Sequence, residues 1–385
     1  MALSDIPFTS GSYSQKRITK SIERSASWLA NVLRPLPGRH VSAGAAPHFP
    51  NVLVHMAGGT TPVARQAFSR SLLEPLFDKE AEAIKPLNNL DQGVAGYTFD
   101  LAPLHKSLSP TPPHTATKGS LVAAIDLFSA PPAPSVIKQV VSLIRTSLEP
   151  LPATKPRFVH SAGSPHEILA LIRDVGIDLF DAHWAQRAAD VGVALDFVFP
   201  ATTTTTTGGV SDAAPREIGH NFYDKCYSHD FSPFADTLRS RSAEQDDKRP
   251  SCACMACAPS RPNEPLKHSR LDEAPPLHPP VPYTRAYVHH LLNTHEMAAH
   301  TLLTLHNLAV LDTFFAGVRR VLSERPETFS QEITRFEQIY DYKLGVLAEA
   351  RKAWTEVSLA RGKGRLAREK EKLKQDTLGT AVELN

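Results

Sequence analysis

Residues 157–181 read RFVHSAGSPHEILALIRDVGIDLFD, and this stretch decides the kind of fold the chain adopts. It runs strand, turn, helix, strand in close succession, with Ser164 and Pro165 in the places of an N-cap and a first helical residue. The same alternation recurs upstream. PNVLVHMAGG (50–59) reads as a buried strand through Val52, Leu53 and Val54 that closes on Gly58-Gly59. TTPVARQAFSRSLLEPLF (60–77) then reads as a helix with Thr60 or Thr61 as N-cap. A helix over 14–33 carries Ile18, Ile22, Leu29, Val32 and Leu33 at helical spacing, and a glycine-punctuated stretch, GVAGYTFDL (93–101), precedes a helix over 134–148. Strands separated by helices predict parallel β/α units, repeated often enough for a barrel or a doubly wound sheet.

The pattern breaks between residues 201 and 282. Six consecutive threonines (202–207), RSRSAEQDDKRP (239–250) and the proline-rich APSRPNEPLKHSRLDEAPPLHPPVP (258–282) have little to pack and read as solvated insertions. From Tyr283 the chain is helical. Val288, Leu291, Leu292, His295, Ala299, Leu302 and His306 form one stripe. Leu311, Phe314, Phe315, Val318 and Leu322 form a second, which Pro326 ends. A last long helix carries Phe329, Ile333, Phe336, Tyr340, Leu344, Leu347 and Trp354, and the tail 360–374 is basic with almost no apolar face. The expected organisation is therefore β/α units over 1–200, an insertion-rich segment over 201–282, helices over 283–325, and a C-terminal helix and tail over 326–385.

Composition sets the outer bounds. With 42% hydrophobic and 21% charged residues the 385-residue chain reads as an ordinary globular protein, and its net charge of +2 gives it no strong general affinity for nucleic acid. No uninterrupted apolar run approaches the ~18–20 residues that span a bilayer, and MALSDIPFTS has no secretory pattern, so the expected location is the cytoplasm.

Three of the four cysteines fall in CACMAC (252–257). In C-x-C-x-x-C a tight turn converges three thiolates, which is the chemistry of a closed, structural zinc site that lacks one ligand. Seven histidines follow. His268 and His278 lie in the proline-rich insertion, and His289, His290 and His300 fall off the apolar stripe toward solvent. His295 and His306 both lie on the stripe, and Cys226 is a third candidate whose alternative is a buried structural thiol. Spacing alone leaves these open.

YTRAYVHHLLNTHEMAAHTLLTLHNLAVLDTFF (283–315) resembles a signature of the tRNA-guanine transglycosylase superfamily, in which C-x-C-x-x-C precedes an aromatic-[ST]-R-A-Y helix ending in L-x-x-H-N. The resemblance implies one structural Zn²⁺ per subunit, held by Cys252, Cys254, Cys257 and His306. It extends over about residues 3–325 and implies a (β/α)₈ TIM-type barrel with a zinc-binding subdomain and C-terminal helices. It also implies that the family's opening barrel units have no counterpart here, which would leave a strand edge unpaired. LSDIPFT (3–9) is similar to the family's D-E-C-T-P, which sets Asp5 at a base-recognition carboxylate, and the phenylalanine-aspartate pair of the catalytic nucleophile matches Phe180-Asp181.

The surroundings of Asp181 depart from the catalytic pattern. Where catalytic members read C-V-x-P-T-R, this chain reads AHWAQR with the bulky Trp184, and Ala57 stands where the base-reading strand carries glutamine. A site built on hydrogen bonds loses heavily when those partners go. Asp181 therefore reads as vestigial, with no catalytic residue expected. The pattern resembles the accessory-subunit branch of the superfamily, its fungal forms in particular. That branch implies a heterodimer with the catalytic subunit of a queuine tRNA-ribosyltransferase, contact with the tRNA anticodon arm, and support of guanine-to-queuine exchange at wobble position 34 of GUN-anticodon tRNAs (Asp, Asn, His, Tyr). A homodimer of the isolated chain is the other assembly it allows, and peripheral attachment to the mitochondrial outer membrane the other location. The alternatives are an active transglycosylase using Asp181 as nucleophile and a zinc-stabilised RNA-binding module.

Overall fold

Four short parallel strands carry the first half of the chain: β1 (Val52–His55), β2 (Val94–Asp100), β3 (Arg157–His160) and β4 (Leu179–Phe180), hydrogen-bonded in that order. The structure is a computed structural model describing residues 1–5, 14–34, 51–109, 132–201, 215–235, 252, 254–258 and 283–358. The threonine run, the two charged and proline-rich insertions and the basic tail lie outside the described residues, as do His268 and His278. The chain divides into two compact units, Met1–Trp184 and Ala185–Asn385.

In the first unit every strand-to-strand connection is a crossover, as parallel pairing demands. α1 (Gln15–Leu33) precedes β1. α2 (Pro62–Leu73) and α3 (Asp78–Ala83) lie between β1 and β2, α4 (Leu101–Leu108) and α5 (Pro134–Leu148) between β2 and β3, and α6 (Pro165–Val175) between β3 and β4. Tyr97, Phe99 and Val159 are buried on one side of the sheet. α6 follows its sequence signals closely. The Ser164 hydroxyl accepts from Glu167 N–H, Pro165 opens the helix, and Gly176 closes it in the left-handed region at φ +73°.

One expectation needs correction here, in α1. At the outer edge of β1, Ala2 makes a single bridge: its N–H donates to the Leu53 carbonyl at 2.7 Å and its carbonyl accepts from His55 N–H at 2.9 Å. The buried face of α1 is Ser21, Ser25, Leu29 and Leu33, while Ile18 and Ile22 are half-buried and Val32 is exposed. The reason is local. Ser21 donates to the Asp5 carbonyl and Ser25 accepts from Asp5 N–H, so small hydroxyl residues let the strand-like segment at residues 2–5 approach the helix backbone.

In the second unit, β5 (Val193–Leu195) and β6 (Gly219–Asn221) pair antiparallel, after α7 (His183–Asp190), in which the unit boundary falls. α8 (Arg285–Asn293) and α9 (Met297–Glu324) are separate helices, where the sequence reads as one continuous stripe. The break is a C-terminal cap: His295 N–H donates to Leu292 C=O and Glu296 N–H to Leu291 C=O, with His295 itself left-handed at φ +60°. The expected last long helix is also divided. α10 (Phe329–Ile339) stops because Tyr340 is extended and bridges Arg216, and a further helical run follows over 345–358. Phe197, Phe199, Phe314, Phe336 and Tyr340 fill the interior in tilted and edge-to-face contacts. α9 is long and apolar enough by composition to cross a bilayer, but it packs on β5 and α8 and buries His306 and Asn307, which is the pattern of a core helix.

α9 lies against backbone at Gly317, where an added Cβ would sit 1.7 Å from the Phe199 carbonyl oxygen. At an exposed mid-helix site, glycine to alanine stabilises by about 1 kcal/mol. Here Gly317→Ala is expected to destabilise by about 3 kcal/mol or more, read as a lowered urea midpoint at unchanged slope.

Candidate metal centre

Cys252, Cys254 and Cys257 are buried, and the turn that gathers them is held by its own backbone. Ala258 N–H donates to the Cys254 carbonyl at 2.7 Å and Cys257 N–H to the Cys254 Sγ at 3.3 Å. His306, 0% exposed on α9, completes a group whose ligand atoms all lie within 4.8 Å of one another. Its Nδ1 stands 3.7, 3.8 and 3.4 Å from the sulfurs of Cys252, Cys254 and Cys257. A tetrahedral zinc bonded at ~2.3 Å to sulfur and ~2.0–2.1 Å to nitrogen separates S from N by about 3.6 Å. The donor set and its spacing therefore fit a closed tetrahedral ion.

The imidazole is oriented from behind. His306 Nε2 lies 2.9 Å from the Leu195 carbonyl and donates to it, which leaves the Nδ1 lone pair facing the thiols. Asn307 grips the same strand. Its Oδ1 accepts from Leu195 N–H at 2.8 Å, and its Nδ2 donates to the Val193 and Ala185 carbonyls at 2.9 and 3.1 Å. Among the sulfurs, hydrogen bonds from the Cys252 and Cys257 thiols pull the Cys254 thiol far down, and the same sharing pushes Cys257 up. The shared hydrogen bonds thus favour a single negative charge on the cluster, and further deprotonation calls for a cation.

A second polar network anchors the segment ahead of the cysteines. The buried Asp196 carboxylate accepts from Arg216 at 2.8 Å and from His220 Nε2 at 3.0 Å, and the other nitrogen of His220 meets the Tyr227 hydroxyl at 3.0 Å. Arg285 donates to the Pro233 and Phe234 carbonyls, and the Phe234 ring packs edge-on against His306 at 5.3 Å. Sequence reasoning missed Asn307, Asp196 and His220 as supports. Only Asn307, beside the ligand histidine, carried a signal.

The other candidates lie elsewhere. His295 is exposed at its left-handed cap position. His289 and His300, expected to face solvent, are half-buried, with their Nδ1 atoms 2.8 Å from the Phe222 carbonyl and 3.2 Å from the Ala189 carbonyl. His290 is exposed. Cys226 is neither a fourth ligand nor a buried thiol: it is exposed on the short 3-10 turn Lys225–His229. Beside the cysteine turn, Tyr283 N–H donates to the Ala256 carbonyl at 3.0 Å, and the Tyr283 and Tyr287 rings stack at 5.6 Å. Both rings are exposed, as are Met255 and Phe231.

Asp181 follows β4 in the first unit. Its Oδ2 accepts from Ser161 N–H at 3.1 Å and its Oδ1 from His183 N–H at 3.3 Å. The Asp5 carboxylate is paired with Arg24 at 3.2 Å and Arg17 at 3.4 Å, and Ala57 and Trp184 are buried.

Residues 135–341 match the family model described as queuine tRNA-ribosyltransferase. The chain is 29% identical over 185 residues to a queuine tRNA-ribosyltransferase accessory subunit 2 of Ixodes scapularis, covering 48% of this chain and 37% of the relative. It is 30% identical over 206 residues to the protein of that name in Danio rerio, covering 51% and 44%. To that of Schizosaccharomyces pombe it is 30% identical over 198 residues, covering 50% and 35%. The matched region thus spans less than half the length of these curated relatives.

Metal analysis of the purified chain is expected to show zinc retained by this group and lost from Cys254→Ser and His306→Ala, while His295→Ala retains it. Asn307→Ala should release the ion to a chelator about 10–100-fold more readily, because the strand that orients His306 loses its grip.

Proposed function

The chain belongs to the queuine tRNA-ribosyltransferase family, and on that premise we propose that it acts as a non-catalytic accessory subunit in queuosine modification of tRNA. The observation that carries this reading is the state of the two carboxylates that the exchange reaction would need. Both oxygens of Asp181 accept backbone N–H groups from its own loops, which gives this carboxylate a structural task at the strand end. Asp5, matched to base recognition, is neutralised by Arg17 and Arg24. The buried Ala57 and Trp184 offer no amide in place of the lost polar groups.

In this reading the chain pairs with a catalytic subunit, and the two together exchange guanine for queuine at the wobble position of GUN-anticodon tRNAs. The exposed Met255, Tyr283, Tyr287 and Phe231 support a partner surface beside the metal centre, since aromatic and methionine side chains are enriched in interface cores. The ion is zinc, one per subunit, held by Cys252, Cys254, Cys257 and His306, and it stiffens that surface without doing chemistry. The parallel β1–β4 sheet is part of a (β/α)₈ barrel, and the accessory chain helps position the anticodon arm. The segments 1–200, 201–282, 283–325 and 326–385 then correspond to barrel units, insertions, the zinc-histidine helices and a C-terminal extension. Its location is the cytoplasm, with peripheral attachment at the mitochondrial outer membrane.

The second reading, an active transglycosylase, rests on the partial exposure of Asp181 at a strand's C-terminal end. Incorporation of labelled guanine into tRNA separates the two. The chain alone is expected to show no exchange, and the chain co-purified with a catalytic subunit to show exchange that Asp181→Ala leaves within about 2-fold. Exchange by the chain alone, abolished by Asp181→Ala, would establish the second reading.

A further inference from the structure

The C-terminal ends of β1, β2 and β3 hold three buried polar atoms with no hydrogen-bond partner among the described residues: His55 Nε2, Thr98 Oγ1 and His160 Nε2. Buried polar groups are nearly always paired, so three together on neighbouring strands call for an explanation. Their register is known. His55 pairs with Thr98, and His160 pairs with Asp100, two residues beyond Thr98 on the same side of β2. All four side chains therefore stand on one face of the sheet.

The other nitrogen of each imidazole is engaged from its own flank of the sheet. Ala2 lies on the outer edge of β1, and the hydroxyl of Ser4, two residues on, bonds His55 Nδ1. On the opposite flank β4 lies beyond β3, and the Asp181 Oδ2 that follows it stands 3.6 Å from His160 Nδ1. Each Nδ1 is thus engaged from a flank, by Ser4 on the β1 side and by Asp181 on the β4 side, which leaves each Nε2 as the ring's open donor. A histidine oriented through one nitrogen by a hydroxyl or carboxylate, with the other nitrogen bare, is the arrangement of a metal ligand.

We propose that His55 Nε2 and His160 Nε2, with Thr98 Oγ1 between them, form a second cation site that takes a borderline divalent transition-metal ion. Two imidazole nitrogens with oxygen donors select zinc, cobalt, nickel or ferrous ions over calcium or magnesium. The Asp100 carboxylate, whose Oδ1 caps α4 by accepting from Ala102 N–H, supplies nearby negative charge. Ser161 beside His160 is held in the left-handed region at φ +61° by its N–H bond to Asp181, which stiffens the outer wall of the site. In this arrangement Asp181 is a positioning residue for His160. The inference rests on metal binding alone and is independent of whether the chain is an accessory subunit.

Titration of the metal-stripped full-length chain with Co²⁺ alone tests it. Two equivalents are expected: one with thiolate charge-transfer absorption, from the cysteine cluster, and one without it. The double variant His55→Ala/His160→Gln should lose only the second. Asp181→Asn removes the orienting charge but no ligand, and should weaken the second equivalent about 10–100-fold while leaving the thiolate band unchanged. A single equivalent in the unmodified chain would overturn the proposal, as would a second equivalent that survives the double variant. If the double variant loses both bands through misfolding, Asp181→Asn decides, and unchanged affinity of the second equivalent there overturns the assignment.

Discussion

The peptide of Leu195 is held at both ends by two adjacent residues of α9: its carbonyl accepts from His306 and its N–H donates to Asn307. This pair of bonds does two things that could not be done separately. It fastens the longest helix to β5, and it fixes which nitrogen of His306 faces the cysteines. A ligand histidine free to rotate would lose part of the metal's binding energy in ordering the ring. Here folding has already ordered it, because Asn307 also ties Val193 and Ala185 to the same turn of helix. The next residue on the strand, Asp196, starts the buried network through His220 that fixes the segment ahead of the cysteines. Metal centre, short sheet and aromatic interior therefore share one stretch of backbone.

What could be read from the residues, and what could not, follows the range of the forces involved. The strand-helix-strand passage at 157–181 is legible because its signals are local: an N-cap serine, a proline at the first helical position and a glycine at the end all act within one turn of where they stand. The cysteine triplet is legible for the same reason. The fourth ligand is not, because His295 and His306 differ in nothing their neighbours encode. What separates them is a helix cap at 292–296 that turns His295 outward, built by residues with no glycine to announce it. The buried face of α1 was misread for a related reason. An apolar stripe predicts burial against side chains, but Ser21 and Ser25 bury against backbone, where a small hydroxyl fits better than isoleucine. Tyr340 is a third instance. Its periodicity continues α10, yet its backbone is taken by Arg216, more than a hundred residues away in sequence.

The two sites contribute differently to folding. Cys252, Cys254, Cys257 and His306 belong to the same buried cluster or its immediate support, together with Phe222, Phe234, Val288 and Leu303. Changing one of these ligands leaves its partners buried and unsatisfied and opens the core, so the cost falls on stability whatever the protein does. The residues around Asp181 carry no such obligation. Trp184 and Ala57 are themselves buried apolar groups that contribute to packing. The cysteine-histidine centre is therefore tied to the stability of the fold in a way that the strand ends around Asp181 are not. Asp181 has a structural reason to be an aspartate that is separate from any chemistry, because as the acceptor for Ser161 and His183 it holds two loops in place.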